Sequence, residues 1–369
     1  SEPEAGLVQT VPRLIGAQTI WARTQQFSNT IYGMTLGRGL ALWSGSAANY
    51  WGHNAMIRVR AFADCAGLPD LPGRRPFGGL ILSHDFVEAA LLRRAGWRVR
   101  FLPTADGSFE ETPPTPIAHI LRDRRWCQGN LQHLRLLGAA GMHPLSRVHM
   151  LQGAVGYLSS ILWLVLMICW VLVGSGQGDG PIRYFSEANP LFPAWPDMDI
   201  VSRILILALI YGMLVVPKVL GALRYWATDP SLRAVGGPGR FVCSILAEMA
   251  LSILLAPMMM VQHVVAVTRT LAGVDTGWKP AGQDAPHLRT CLRFHGAELA
   301  LVTGMCALFA AGELNLWLLP IGASLVIAPV LSLALSAQPA WARRLFQTPQ
   351  ESTARPAAEP ATDPALAAA

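Results

Sequence analysis

One stretch constrains this chain before any other. From Met150 to Gly178 no charged side chain interrupts "MLQGAVGYLSSILWLVLMICWVLVGSGQG". A helix rises 1.5 Å per residue, so about 20 such residues cross a hydrocarbon layer of roughly 30 Å. The stretch predicts a membrane span. Arg122, Arg124, Arg125, Arg135 and Arg147 crowd its N-terminal side, and the loop after it, "GQGDGPIRYFSEANPLFPAWPDMD", is acidic overall and aromatic. The bias of arginine toward one side puts the first part of the chain in the cytoplasm and this loop outside. "IVSRILILALIYGMLVVPKVLGALRYW" predicts the return, ending on Lys218 and Arg224.

The following apolar run, 241–268, carries Glu248, Pro257 and His263, with Arg240 before it and Arg269, Lys279, Arg289 and Arg293 after it. A span there would export the second basic flank. The expectation is therefore an interfacial or re-entrant pair of helices broken at Pro257. The block 297–336 splits at "GELN" into two more spans, giving about four in all. The Pro/Ala-rich end, 341–369, reads as a disordered cytoplasmic tail. The membrane region is thus 147–340, and its lipid partner is the bilayer.

Composition agrees: 52% of the 369 residues are hydrophobic and 14% charged, too apolar for an ordinary soluble enzyme. The net charge is +6, almost all of it arginine, with lysine only at Lys218 and Lys279. No basic run is interleaved with aromatics, so no nucleic-acid partner is expected. Cys65, Cys127, Cys169, Cys243, Cys291 and Cys306 form no CxxC pair, which argues against zinc and against a disulfide framework.

Residues 1–146 alternate strand and helix patterns, an α/β domain. "GLVQTV" reads as a buried strand, "QTIWARTQQFSNTIYGMTL" as a helix and "YWGHNAMIRVRAF" as strand-like, with Gly52 marking a close backbone approach. "LSHDFVEAALLRRAGW" reads as a helix with Ser83 at its N-cap and Gly96 at its end, and "WRVRFLP" alternates as a strand. A chain that opens amid such a pattern is expected to be part of a longer one.

Three stretches can carry chemistry. In "HILRDRRWCQGNLQHLRLL", Arg122, Arg125, Trp126 and Gly129 share a helical face at i, i+3, i+4 and i+7. Guanidinium groups suit a diphosphate and an indole suits the apolar face of a sugar. The same face also suits membrane anchoring. In "LSHDF", Asp85 stands in the first turn of a helix beside His84, where a carboxylate is held ionised and can accept a proton. It also suits an ordinary helix start. In "NYWGHNA", Gly52 admits a ligand to the backbone while His53 and Asn54 offer polar contacts; a bulged strand reads the same way.

Together, "YWGHNA", "LSHDFVEAALLRRAGW", "GSFEETPP", "RDRRWCQGNLQHLRLL" and "GMHPLSR" resemble the C-terminal part of the processive, membrane-embedded family-two glycosyltransferases. The resemblance is strongest to the branch that builds the backbone of osmoregulated periplasmic glucans. It implies a partial GT-A-like domain followed by an all-α transmembrane bundle in a bacterial inner membrane. It implies inverting transfer of glucose from UDP-glucose to a growing β-glucan acceptor, coupled to export. Asp85 matches the catalytic base, in a Ser-His-Asp setting in which His84 tunes it. Arg125 and Trp126 match the closing Arg-Trp of a Gln-x-x-Arg-Trp motif, holding the diphosphate and stacking on the acceptor. Arg122 stands where the motif has Gln.

Tyr50, Trp51, Gly52, His53 and Asn54 would line the acceptor end, and Gln9 and Thr10 match the strand after the metal-binding Asp-x-Asp. That motif is not found in the first 145 residues, and Asp197 and Asp199 fall in the outer loop. The implied Mg²⁺ is therefore expected on ligands upstream of Ser1, with none in this chain. A transporter or channel with a cytoplasmic regulatory domain is the rival reading. It would place functional polar residues deep in several spans. A cellulose- or hyaluronan-type synthase is a second rival, which Ser83-His84-Asp85 and Arg122 disfavour.

Overall fold

The computed structural model describes residues 2–104, 106–174, 200–229, 232–274, 285–312 and 318–351. The loop read as external, with Asp197 and Asp199, lies outside these residues, as do Lys279 and the tail from 352 on.

The chain opens with β1 (Ala5–Thr10) and β2 (Arg13–Leu14). Two helices follow, α1 (Ile20–Ser28) and α2 (Met34–Ser44), joined by a π-helical turn at Asn29–Gly33. Next come β3 (Ala55–Ile57), α3 (Val59–Cys65), α4 (His84–Arg94), β4 (Arg98–Leu102), β5 (Phe109–Glu110) and α5 (Pro116–Gln132). The sheet order is β3-β1-β4, with β4 parallel and β3 antiparallel to β1; Leu7 faces Val99 on one side and Ile57 on the other. Leu7 and Val99 are fully buried, in a core closed by Val11, Ala61, Ala89, Leu92 and Phe101. The alternation of "WRVRFLP" is real, since Val99 and Phe101 face inward. β1 and β4 end at the same edge, where a parallel pair presents its ligand-facing loops.

The strand-like reading of "AMIRVRAF" holds for three residues only. Arg58 ends the strand, and Val59–Cys65 is helical. Beyond Arg58 the side chains do not keep a strand's two faces, since Val59 is 82% exposed while Ala61 is sealed against the sheet.

The rest is helical: α6 (Pro144–Gly174), α7 (Ile200–Thr228), α8 (Pro238–Leu271), α9 (Leu288–Phe294), α10 (Gly296–Ala310), α11 (Leu319–Leu335) and α12 (Ala340–Leu345). Three stretches, Pro144–Cys169, Ala208–Thr228 and Pro238–Leu271, are long and apolar enough to cross a membrane. The pair α9–α10, bent by 66°, makes a fourth if taken as one span, and α11 is apolar but shorter. The 146/147 boundary falls inside α6, whose first turn belongs to the α/β side.

Two expectations are corrected here. The run 241–268 is not a pair broken at Pro257; α8 is one continuous helix with Pro257 inside it. Proline removes one backbone donor and crowds the preceding turn. That turn is supported from a neighbour, since Ser324 Oγ on α11 donates to the Leu254 carbonyl at 2.5 Å. The tail is also folded at its start. Ala342, Phe346 and Thr348 are buried, and Phe27 packs on Phe346 with ring centroids 5.9 Å apart. Arg23, 3% exposed, donates to the carbonyls of Ala17, Ala342 and Arg343 and pairs with Glu351 at 2.7 Å. Burial of Phe346 in the apolar core and the hydrogen bonds of Arg23 both hold 343–351, and both come from partners far along the chain that composition could not reveal.

One apolar core joins the two regions: Trp21, Phe27, Ile31 and Tyr32 pack with Phe241, Met258, Ala328 and Phe346. Helix α5 is bound to the bundle by polar contacts. Asp123 accepts from Tyr157 at 2.9 Å and pairs with His263 at 3.0 Å, and Arg124 donates to Gln262 at 2.6 Å.

Candidate active site

Helix α4 begins at the mouth of a cavity of about 620 Å³. Asp85 lies in its first turn. Ser83 takes the N-cap position without making the side-chain cap, so the expected cap bond is absent. The helix-start N–H groups of Asp85 and Phe86 and the nearby His84 favour the ionised carboxyl. Burial outweighs them and Glu88 adds to it, so the Asp85 pKa is raised above the ordinary aspartate value. A raised carboxyl is the stronger base. His84 is held by Glu88, buried one turn on, with Nδ1 3.0 Å from Oε1.

The 50–54 loop forms the next wall. Gly52 has φ +84°, a backbone conformation that side-chain-bearing residues rarely adopt, and this glycine turn lies beside the Asp85 carboxyl. Gln9, fully buried on β1, shapes this loop. Its Nε2 donates to the His53 carbonyl at 3.0 Å and its Oε1 accepts from Trp51 N–H at 2.9 Å. Thr10 Oγ1 donates to the Asn54 carbonyl at 2.6 Å, and Asn54 Nδ2 donates to Ser108 Oγ and the Phe109 carbonyl, each at 3.0 Å.

Helix α5 is the opposite wall. Thr115 caps it and Pro116 opens it, where a missing N–H costs little. Its predicted face is the face presented. The Arg122 guanidinium lies 4.6 Å over the Trp126 ring, so a sugar stacking on that indole has its other face. Gly129 is the contact point with the Asp85 turn: a Cβ there would meet Ser83 Cβ and N at 2.7 Å. One turn on, His133 Nε2 lies 2.8 Å from the Ser83 carbonyl, and Gln132 Oε1 accepts from Leu82 N–H at 3.0 Å. The loop before Asp85 is therefore laced to the helix that carries Arg125 and Trp126.

Of the residues singled out from sequence, Asp85, His84, Arg122, Arg125, Trp126, Trp51, Gly52 and His53 line this one cavity. Tyr50, Asn54, Gln9 and Thr10 do not line it. The latter three hold the loop, and Tyr50 is buried with its hydroxyl pKa raised by burial and then by Glu88 and Asp85. Sequence reasoning missed Glu110, Arg124, Gln128, Arg269 and Thr270, which also line it. Glu110 lay within the quoted "GSFEETPP", and its Oε1 stands 3.7 Å from His53 Nε2 and 3.9 Å from Arg122 Nη1. Arg269 had no local signal, because α8 brings it from far along the chain. Burial lowers the Arg122 and Arg124 pKa values from the ordinary arginine range, which still leaves both groups cationic. Four arginines against Asp85 and Glu110 make a pocket suited to a polyanion. Among the described residues no three His, Cys, Asp or Glu side chains are grouped to hold a metal ion.

Residues 1–227 match the family model described as "Glycosyl transferase family group 2". A "Glucans biosynthesis glucosyltransferase H" of Rhodopseudomonas palustris (strain BisA53) is 43% identical over 338 residues, 90% of this chain and 48% of that protein. The protein of the same name from Vibrio cholerae serotype O1 (strain ATCC 39541) is 43% identical over 359 residues, 95% of this chain and 50% of that one. That of Shewanella sp. (strain W3-18-1) is 44% identical over 324 residues, covering 87% and 45%. The chain spans about half the length of the curated relatives it matches.

Proposed function

This chain belongs to glycosyl transferase family group 2, and from that premise we propose that its cavity is the acceptor side of an inverting glucosyltransferase. The donor is UDP-glucose and the acceptor a growing β-glucan, of the kind made as osmoregulated periplasmic glucans. The observation that carries this reading is the convergence of Asp85, Arg125 and Trp126 on one cavity walled on its far side by α8.

The acceptor sugar stacks on the free face of Trp126 and meets the loop at Trp51–His53. Asp85 takes the proton of the acceptor hydroxyl as its oxygen attacks C1 of the donor glucose. The C1–oxygen bond to the diphosphate breaks, and that electron pair leaves with UDP. One displacement inverts the anomeric carbon. Arg125 receives the departing charge, with Arg122, Arg124 and Arg269 raising the local positive potential. Mg²⁺, when bound, would neutralise the diphosphate. Among the described residues no three His, Cys, Asp or Glu side chains are grouped to hold it, and no step here depends on it.

The catalytic side faces the cytoplasm of a bacterial inner membrane, by the arginine bias. Because α5 is bonded directly to α6 and α8, the helices beside the acceptor site offer the growing chain its exit. Membranes carrying the full-length gene product, given UDP-[¹⁴C]glucose, should form polymer that a β-glucanase releases. Label entering only α-linked or lipid-linked product would overturn the assignment.

A further inference from the structure

Arg124 lines the cavity from α5, and its side chain is gripped by the helical bundle. Its guanidinium lies 4.9 Å from the centre of the Phe294 ring, at the end of α9, and its Nη2 donates to Gln262 Oε1 on α8. Gln262 passes the contact on, since its Nε2 donates to Glu298 Oε1 at 2.5 Å. The same oxygen lies 2.8 Å from His295 Nδ1, and His295 Nε2 lies 2.8 Å from Ser332 Oγ on α11. Phe294, His295 and Glu298 belong to the joint where α9 and α10 meet at 66°. One chain of contacts therefore runs from the cavity through α8 to the α9–α10 joint and on to α11.

The chemistry of this chain gives it a direction. Arginine only donates hydrogen bonds and an ionised carboxylate only accepts them. A glutamine between them satisfies both, with its oxygen toward the cation and its nitrogen toward the anion, which is the order seen here. Glu298 and His295 are fully buried, and Gln262 nearly so. A carboxylate in such a place is costly unless it is paired and hydrogen-bonded, and Glu298 Oε2 has no partner among the described residues. Arg124 feels this charge: burial and Arg269 act against its own positive charge, and Glu298 acts for it. A long side chain repelled by a neighbouring arginine keeps one rotamer only if something pins it, because pinning costs conformational entropy.

Resting on the reading of the cavity as a glucosyltransferase site, we propose that Gln262, Glu298 and His295 are positioning residues for Arg124, holding its guanidinium where it binds the diphosphate of the donor. Glu298 and His295 act through Gln262 and touch no substrate. The anion site on α5 is thereby set by residues of the bundle.

The test is a double-mutant cycle in the full-length gene product in lipid nanodiscs, read by calorimetric titration with UDP and by the KM and kcat of glucosyl transfer. Gln262→Met keeps the length of the side chain and removes both of its bonds. It should weaken UDP binding and raise the KM for UDP-glucose by about tenfold, the worth of one hydrogen bond to a charged group, with a smaller change in kcat. In an Arg124→Met background the same exchange should change UDP affinity by less than about twofold, because the residue it positions is gone. Glu298→Gln keeps the shape and removes the charge; it should weaken UDP binding in the same direction, and it remains informative if Gln262→Met fails to accumulate. Equal losses from Gln262→Met with and without Arg124 would mean a structural role alone and overturn the proposal. Unchanged UDP affinity in both Gln262→Met and Glu298→Gln would also overturn it, leaving the glucosyltransferase reading intact. A parent protein that neither binds UDP nor makes glucan would remove that reading and the proposal together.

Discussion

Gly129→Ala tests the way α5 sets the distance between Asp85 and its partners. In an exposed helix interior, glycine to alanine stabilises by about 1 kcal/mol. At Gly129 the new methyl would stand 2.7 Å from Ser83 Cβ and N. Ordinary carbon contacts need roughly 3.5–4.0 Å, so the Ser83–Asp85 turn must withdraw by about 1 Å. The turn is also tied to α5 through His133 and Gln132, so it cannot withdraw without straining those bonds. Overpacking of this kind costs about 1–3 kcal/mol, which outweighs the helical gain. A shift near 1 Å in a reacting group costs on the order of 100-fold in rate. Gly156→Ala is the matched control, also helical, with nothing within 4 Å of its Cβ. Unfolding of both variants in lipid nanodiscs and UDP-[¹⁴C]glucose transfer by the full-length gene product are the assays. Gly129→Ala should lose stability and most transfer, while Gly156→Ala keeps both. Equal behaviour of the two variants would refute the argument that this glycine sets the site.

Trp126→Ala should impair acceptor use more than donor hydrolysis, and Trp126→Phe should recover part of the loss; an equal fall in both reactions would argue against stacking. Lys218 donates to both oxygens of Glu248, at 2.8 and 3.0 Å, and to Ser252, while Tyr32 also donates to Glu248, which is 4% exposed. Removing one partner leaves a buried charge, so Lys218→Met should destabilise by about 3–5 kcal/mol, and adding Glu248→Leu should recover most of it in denaturant titrations. The pH profile follows from Asp85, whose pKa is raised chiefly by burial. The native state holds this proton to a higher pH than the unfolded chain does, so ionisation costs stability as pH rises through the native pKa. Transfer should fade on acidification at a higher pH than an ordinary aspartate would give, and an acid limb at the ordinary aspartate value would count against Asp85.

Where local periodicity decides structure, the sequence was readable. The span at 150–174, helix α4 with its glycine stop, strand β4 and the Arg122–Gly129 face are each written in residues a turn or two apart. The convergence of Asp85 with Arg125 and Trp126 came from the motif resemblance, and the cavity has them together. What stayed hidden depends on distant partners. Ser324 from α11 bonds the turn of α8 before Pro257, Arg23 and the core around Phe346 hold 343–351, and the fourth arginine of the pocket depends on where α8 ends. The strand misread at Val59 shows the reverse failure, a local pattern that tertiary packing does not use.

Asp85→Asn in the full-length gene product, assayed for glucosyl transfer and UDP binding on the same preparation, tests the central claim most directly. The exchange keeps the shape of the side chain and removes its ability to accept a proton. The account predicts that transfer disappears while UDP affinity stays close to that of the parent. Continued polymer synthesis by the variant would contradict it.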